Sequence, residues 1–73
     1  MDSAGITLHR HSTTLVEVTV GDYTELVTRN DCAIARRRIE SPTNSTGTAR
    51  MRGLVVDESM VRAIEDVFGA VSA

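Results

Sequence analysis

The chain has 73 residues, a mass of 7.9 kDa and a formal net charge of −2, and only 3% of its residues are aromatic. A chain of this length forms at most one domain and buries only roughly 60–65% of the surface that it exposes when unfolded. So small a core leaves little room for a deep cofactor pocket or for the residues that support a catalytic site, so neither an enzyme nor a bound cofactor is expected.

Cysteine content and hydropathy bear on the compartment. Cys32 is the only cysteine, which excludes an intramolecular disulfide and a zinc site built on several thiolates. Small secreted domains usually carry several disulfides, so the sequence predicts a cytoplasmic protein. The first residues show neither the basic nor the apolar part of an export signal, and no stretch approaches 18 apolar residues. We therefore expect no membrane span.

The first half of the chain predicts antiparallel β-structure after a frayed N-terminus. Residues 6–11 alternate in polarity and predict a short strand. In residues 15–20, Val16 and Val18 fall on the same face, which is the strongest strand pattern in the sequence. Gly21 and Asp22 fit the two-residue loop of a type II′ turn, so residues 15–28 are predicted to form a hairpin.

The stretch of residues 32–40 fits neither a strand nor a helix period cleanly. We favour a strand, because an isolated hairpin is marginally stable and a third strand would complete a sheet. The alternative is a helix with Asp31 as its N-cap and with three arginines in its last turn, ended before Pro42.

The last third of the chain predicts a loop, a strand and a helix. Residues 41–49 are rich in small polar residues and in Gly and Pro, which is typical of a mobile loop. Residues 50–56 predict one strand, and Asp57 is a suitable N-cap for a helix over residues 58–71. An apolar stripe on that helix consists of Met60, Ile64, Val67, Phe68 and Val71. The predicted fold is α+β, one domain over residues 1–73: a small antiparallel sheet of three or four strands packed against one C-terminal helix.

Charge is distributed unevenly along the chain. All eight basic residues are arginine, and residues 29–52 hold six of them against two acids, a net charge of +4. The segments on either side each carry a net charge of −3. The overall negative charge therefore conceals a basic middle, which favours an anionic partner more than the total suggests.

The basic middle supplies the predicted binding residues, which are Arg36, Arg37, Arg38, Arg50 and Arg52. The planar guanidinium group binds carboxylates and phosphates through two parallel hydrogen bonds. We expect a small non-enzymatic regulator that binds a larger protein with an acidic surface and modulates it, most readily by inhibition. The loop of residues 41–49 would become ordered on contact. Phage-encoded regulators of host machinery such as RNA polymerase are examples of this class.

The alternative is a dimeric DNA-binding transcription regulator that uses the Arg36, Arg37 and Arg38 cluster. A helix-turn-helix over residues 24–39 would place these arginines on the recognition helix. The acidic total and the scarcity of aromatic side chains make nucleic acid the less favoured partner. Self-assembly into a homo-oligomer, such as a homodimer, with no outside partner is a third alternative.

Two remaining features are assigned no chemistry. His9 and His11 would share one face of a strand, a spacing that supplies two metal ligands, but a site needs more, so we expect a solvated face and no metal. No signature of a catalytic nucleophile surrounds Cys32, and we expect a small buried side chain.

Overall fold

The computed structural model describes residues 5–69. Along the chain these residues form β1 (Ile6–Arg10), β2 (Val16–Val20), β3 (Tyr23–Val27), α1 (Arg29–Ile39), β4 (Thr48–Met51), β5 (Leu54–Asp57) and α2 (Glu58–Gly69). The α+β class with a C-terminal helix packed on an antiparallel sheet is confirmed. A second helix and a separate two-stranded sheet complete the fold. The predicted fraying of the N-terminus and the place of Val71 fall on residues outside the described part of the chain.

The first three strands form an antiparallel sheet in the order β1-β2-β3. Val16 and Val18 of β2 are fully buried on the inner face, as their alternation predicts. Gly21 has φ 61°, whereas Asp22 is not among the residues with positive φ, and this combination fits the predicted type II′ turn. The hairpin is therefore confirmed. Strand β1 pairs with β2 at one edge and is the third strand of the sheet.

Helix α1 occupies the segment for which a strand was favoured, so the strand predicted for residues 32–40 is wrong. Its buried side is formed by Cys32, Ala35 and Ile39, which are spaced by three and four residues along one face of the helix. Ile34 lies on the exposed side, with 36% of its surface accessible. This one apolar residue on the wrong side obscures the helical period in the sequence.

The N-cap of α1 is Thr28, not Asp31 as the helical alternative supposed. The Thr28 hydroxyl oxygen accepts a hydrogen bond from the backbone N–H of Asp31 at 3.2 Å. In return, an Asp31 carboxylate oxygen accepts one from the backbone N–H of Thr28 at 2.8 Å. This reciprocal capping box satisfies two donors that the first turn of a helix leaves unpaired.

A second hairpin replaces the single strand predicted over residues 50–56, and that prediction is wrong. The chain reverses at Arg52 and Gly53, so that Met51 of β4 lies opposite Leu54 of β5. Arg52 adopts a left-handed φ of 56°, a conformation that side chains other than Asn and Asp rarely take. Since the residues at this turn do not match the usual hairpin signals, the pattern alone does not reveal it.

Helix α2 contacts the inner face of the three-stranded sheet, as well as β5 and α1. Asp57 is its N-cap, as predicted, because its carboxylate accepts a hydrogen bond from the backbone N–H of Met60 at 2.9 Å. Ile64 and Phe68 of the predicted stripe are buried, together with Val61, which lies beside the stripe. Among the described residues, no helix is long and apolar enough to cross a membrane.

Candidate functional site

Arg36 is held by three carboxylates of the chain itself. Its Nε and Nη2 atoms donate to the two carboxylate oxygens of Glu65 at 3.1 and 2.6 Å, the paired geometry that arginine favours. Its Nη1 atom lies 3.4 Å from an oxygen of Glu58 and 3.5 Å from one of Glu40. The hydrogen bonds with Glu65 are the main cause that raises the pKa of Arg36 above its usual value. This predicted binding residue joins α1 to α2.

Arg52 is likewise engaged within the molecule. Its Nε atom donates to a carboxylate oxygen of Asp31 at 2.7 Å, which ties the turn of the second hairpin to the first turn of α1. Partial burial acts to raise the pKa of Asp31. Hydrogen bonds from Arg52 and Thr28 outweigh burial and lower that pKa below its usual value.

Arg37 and Arg38 differ from their neighbour because both are exposed, and neither forms an ion pair within the described residues. They lie three and four residues after Ile34, so the three side chains share the solvent side of α1. We call Ile34, Arg37 and Arg38 the α1 patch. Glu40, the acidic residue nearest in sequence, is paired with Arg36 instead. The α1 patch therefore offers two unneutralised guanidinium groups beside an apolar side chain.

Arg50 lies apart from the α1 patch, on the outer face of the second hairpin. Alternation along β4 buries Ala49 and Met51 and leaves Arg50 exposed. Its cross-strand neighbour Val55 is 61% exposed, the most exposed of the large apolar residues in the described part of the chain. Within that part Arg50 also has no ion-pair partner. Of the five predicted arginines, the helix thus brings only Arg37 and Arg38 together as free cations.

The loop after α1 is organised around Asn44. The Asn44 side-chain amide donates to the backbone oxygen of Arg38 at 3.0 Å and to that of Thr48 at 2.8 Å. Its carbonyl oxygen accepts from the backbone N–H groups of Thr46 and Gly47 at 3.0 and 2.7 Å. This one side chain joins the end of α1 to the start of β4 and holds the loop beside the α1 patch. The mobility predicted for residues 41–49 stays a prediction.

The histidines lie beside a carboxylate at the start of the first sheet. The rings of His9 and His11 meet edge to face with 5.2 Å between their centroids. The Nε2 atom of His11 lies 2.7 Å from a carboxylate oxygen of Glu17. Within residues 5–69, no group of three or more His, Cys, Asp or Glu side chains is arranged to hold a metal ion.

Cys32 lies on the buried side of α1, within the apolar core. Burial, reinforced by the nearby carboxylates of Glu65 and Asp31, raises the pKa of its thiol to about 11. The thiolate is the reactive form, so at neutral pH this cysteine is a weak nucleophile.

The structure adds one residue that the sequence did not single out, Ile34, and a contact of Arg29, which the sequence placed only in the basic middle of the chain. Ile34 belongs to the α1 patch, and its signal was the helical spacing to the two arginines, which only the helical alternative reveals. Arg29, the first residue of α1, contacts the end of α2. Its Nη2 atom donates to the backbone oxygen of Phe68 at 3.1 Å, and its guanidinium carbon lies 5.2 Å from the centroid of the Phe68 ring.

Comparison with protein-family models, with curated proteins and with solved structures found no match to this chain.

Proposed function

We propose that the protein is a small non-enzymatic regulator that binds a larger protein through the α1 patch and modulates it. The partner presents a cluster of carboxylates, which pair with Arg37 and Arg38, beside an apolar depression that takes Ile34. Guanidinium–carboxylate pairs supply orientation and association rate, and the apolar contact excludes water around them. Because the only cysteine is a buried free thiol, we place this activity in the cytoplasm.

The observation that supports this proposal is the contrast between adjacent arginines. Within residues 5–69, Arg36 is bound to three carboxylates, whereas Arg37 and Arg38 have none, although the chain carries more acidic than basic residues. In such a chain, two neighbouring cations without a partner are available to an anionic surface. Occlusion of the partner's surface is the simplest mode of action for a domain that has so little volume for catalysis.

Charge reversal at the α1 patch tests the proposal. The wild-type chain and an Arg37→Glu/Arg38→Glu variant are immobilised, proteins are captured from a lysate of the source cells, and the captured partner is purified. We expect the double variant to bind that partner at least about tenfold more weakly, because two charge-assisted hydrogen bonds become like-charge contacts. Circular dichroism checks that the variant remains folded.

Arg62→Glu is the matched control. It reverses the charge of one exposed arginine on the other helix, which is half the charge change of the double variant. Among the described residues, that side chain makes a single ion pair, with Glu58. Its affinity for the partner should stay within a factor of about two of the wild-type value. Equal loss in both variants, or no loss in either, would show that the α1 patch is not the binding surface.

A DNA-binding regulator is the second candidate, favoured by the finding that Arg37 and Arg38 project from a helix. The specific helix-turn-helix over residues 24–39 is wrong, because residues 23–27 form strand β3. Titration with duplex DNA at two salt concentrations separates the candidates. A steep loss of affinity with salt, abolished in the double variant, would support DNA as the ligand. Absence of binding at low salt would remove it.

A further inference from the structure

The free edge of β1 follows from its hydrogen bonds to β2. The backbone N–H of Gly21 donates to the oxygen of Gly5 at 3.2 Å, and the N–H of His11 donates to the oxygen of Leu15 at 2.9 Å. In an antiparallel pair, such hydrogen-bonded positions recur at every second residue. Thr7 and His9 therefore face β2 with their backbone polar groups.

The same alternation directs the backbone N–H and C=O groups of Ile6, Leu8 and Arg10 away from β2. Since β1 is the outer strand of the sheet, these groups meet no strand among the described residues. The side chains of the three residues lie on the inner face of the sheet, because they pair in register with Val20, Val18 and Val16. Ile6, Leu8 and Arg10 thus provide both the outward backbone groups of the edge and the side chains on the inner face.

An apolar groove of about 250 Å³ lies between β1 and α2, beside this edge. Ile6 and Leu8 of β1 line it, together with Met60 and Ile64 of α2. Ser59 and Ala63 also line it, and both are small exposed residues of α2 that allow close approach of another backbone. Among the described residues, no carboxylate or guanidinium group lines this groove. The groove and the edge together favour an apolar strand as their occupant.

We propose that the occupant is the β1 strand of a second copy of this chain. Two β1 strands that run antiparallel with Leu8 opposite itself place Ile6 opposite Arg10 of the copy. This register pairs every outward backbone group of the strand and sets no like charges opposite each other. The result is a six-stranded sheet across a twofold axis, with the two α2 helices side by side and the two grooves closed by each other.

The surface that forms this dimer contains no residue of the α1 patch, so the proposal is independent of the proposed function. A dimer also adds to the surface that the chain buries, which is only roughly 60–65% of the unfolded surface for a single chain of this length. Arg10, which forms no ion pair within the described residues, reaches the groove of the copy with the apolar part of its side chain.

Sedimentation with matched variants tests the interface. We expect the wild-type chain to sediment as a dimer of two 7.9 kDa chains between about 1 and 100 µM. Ala63→Arg places a charge at the rim of the groove on each side of the axis and should give a monomer of native circular dichroism. Val55→Arg makes the same kind of change on the outer face of the second hairpin and should remain a dimer.

Amide hydrogen exchange gives a readout that does not depend on a variant. In a monomer, the amides of Thr7 and His9 are protected, whereas those of Leu8 and Arg10 exchange rapidly. In the dimer, all four are protected, and dilution restores the alternation. A wild-type chain that is monomeric up to 100 µM with an alternating exchange pattern overturns the proposal, as does a dimer that is unaffected by Ala63→Arg.

Discussion

Tyr23 connects the two sheets through a contact that depends on a glycine. A Cβ atom at Gly53 would overlap the Tyr23 hydroxyl, so the ring lies directly over the turn of the second hairpin. The hydroxyl donates a hydrogen bond to the carboxylate of Glu25 on the same strand. This hydrogen bond is the main cause that raises the Tyr23 pKa above its usual value of 10.0.

The Tyr23 pKa can be measured directly, because the chain has one tyrosine and no tryptophan. We expect the phenolate absorbance of the folded protein to rise at higher pH than that of the unfolded chain. The protonated phenol is therefore favoured by folding, and this contribution to stability is lost as the pH rises through the folded-state pKa. Glu25→Gln should bring the titration back toward that of the unfolded chain. Coincident titrations of folded and unfolded wild-type protein would refute the contact.

The start of α1 depends on two side chains, Thr28 and Asp31, which satisfy each other's backbone. The Asp31 carboxylate also accepts the hydrogen bond from Arg52, so a single residue serves both the cap and the second hairpin. Loss of the Thr28 hydroxyl leaves the backbone N–H of Asp31 without its acceptor. At the scale of the element, the beginning of α1 is therefore fixed by two residues that lie three apart in the sequence.

Thr28→Ala should lower the free energy of unfolding by about 1 kcal/mol, the usual cost of an N-cap hydroxyl.

The stability of the protein should also depend on pH through Asp31. Because the folded-state pKa of Asp31 is lowered, the contribution of its carboxylate to stability is present above the unfolded pKa of about 3.9 and is lost as the pH falls through the folded value. Urea denaturation at neutral and acidic pH measures both effects. Thr13→Ala, at an exposed threonine outside the helices, is the control and should leave stability unchanged.

Periodicity predicts some elements of this chain and not others, for reasons that lie in particular residues. The valines of β2 alternate without exception, and α2 keeps one apolar side, so both were predictable. In α1, the exposed Ile34 disturbs the period. At the second hairpin, Arg52 takes the left-handed φ at the turn position where Asn or Gly usually stands.

The candidate site could be predicted only as a set of arginines, because their engagement depends on tertiary contacts. Glu58 and Glu65, the partners of Arg36, lie 22 and 29 residues further along the chain. Nothing local to the arginine run distinguishes Arg36 from Arg37 and Arg38. Once α1 is known to be a helix, their directions differ by about 100° per residue, so the three side chains meet different surroundings. Arg36 is half-buried, whereas Arg37 and Arg38 are exposed.

At the scale of the whole molecule, Arg36 links the two helices through ion pairs. It contacts Glu65 and Glu58 of α2 and Glu40 at the end of α1. Without the guanidinium group, Glu40 and Glu65 would have no counter-charge among the described residues, and Glu58 would keep only its ion pair with Arg62. The packing of α1 against α2 therefore depends on Arg36, and on the contact of Arg29 with Phe68, as well as on the apolar core.

Arg36→Met should lower the melting temperature at pH 7, because the three carboxylates then repel one another. The difference from wild type should shrink at about 1 M salt, which screens charges over about 3 Å. Arg36→Lys keeps the charge but loses the paired geometry and should fall between the two. Thermal denaturation at low and high salt measures this order. An equal loss at both salt concentrations would show that repulsion among the carboxylates does not cause it.

The Asn44 side chain organises its loop through an amide group that can be lost by hydrolysis. Its amide nitrogen donates to two backbone oxygens, one at the end of α1 and one at the start of β4. Hydrolysis of that amide would replace the donor with a carboxylate oxygen that faces both carbonyls, and two attractions would become two repulsions. As hydrolysis of Asn44 accumulates in an ageing protein sample, we therefore expect the loop to hold the end of α1 less firmly.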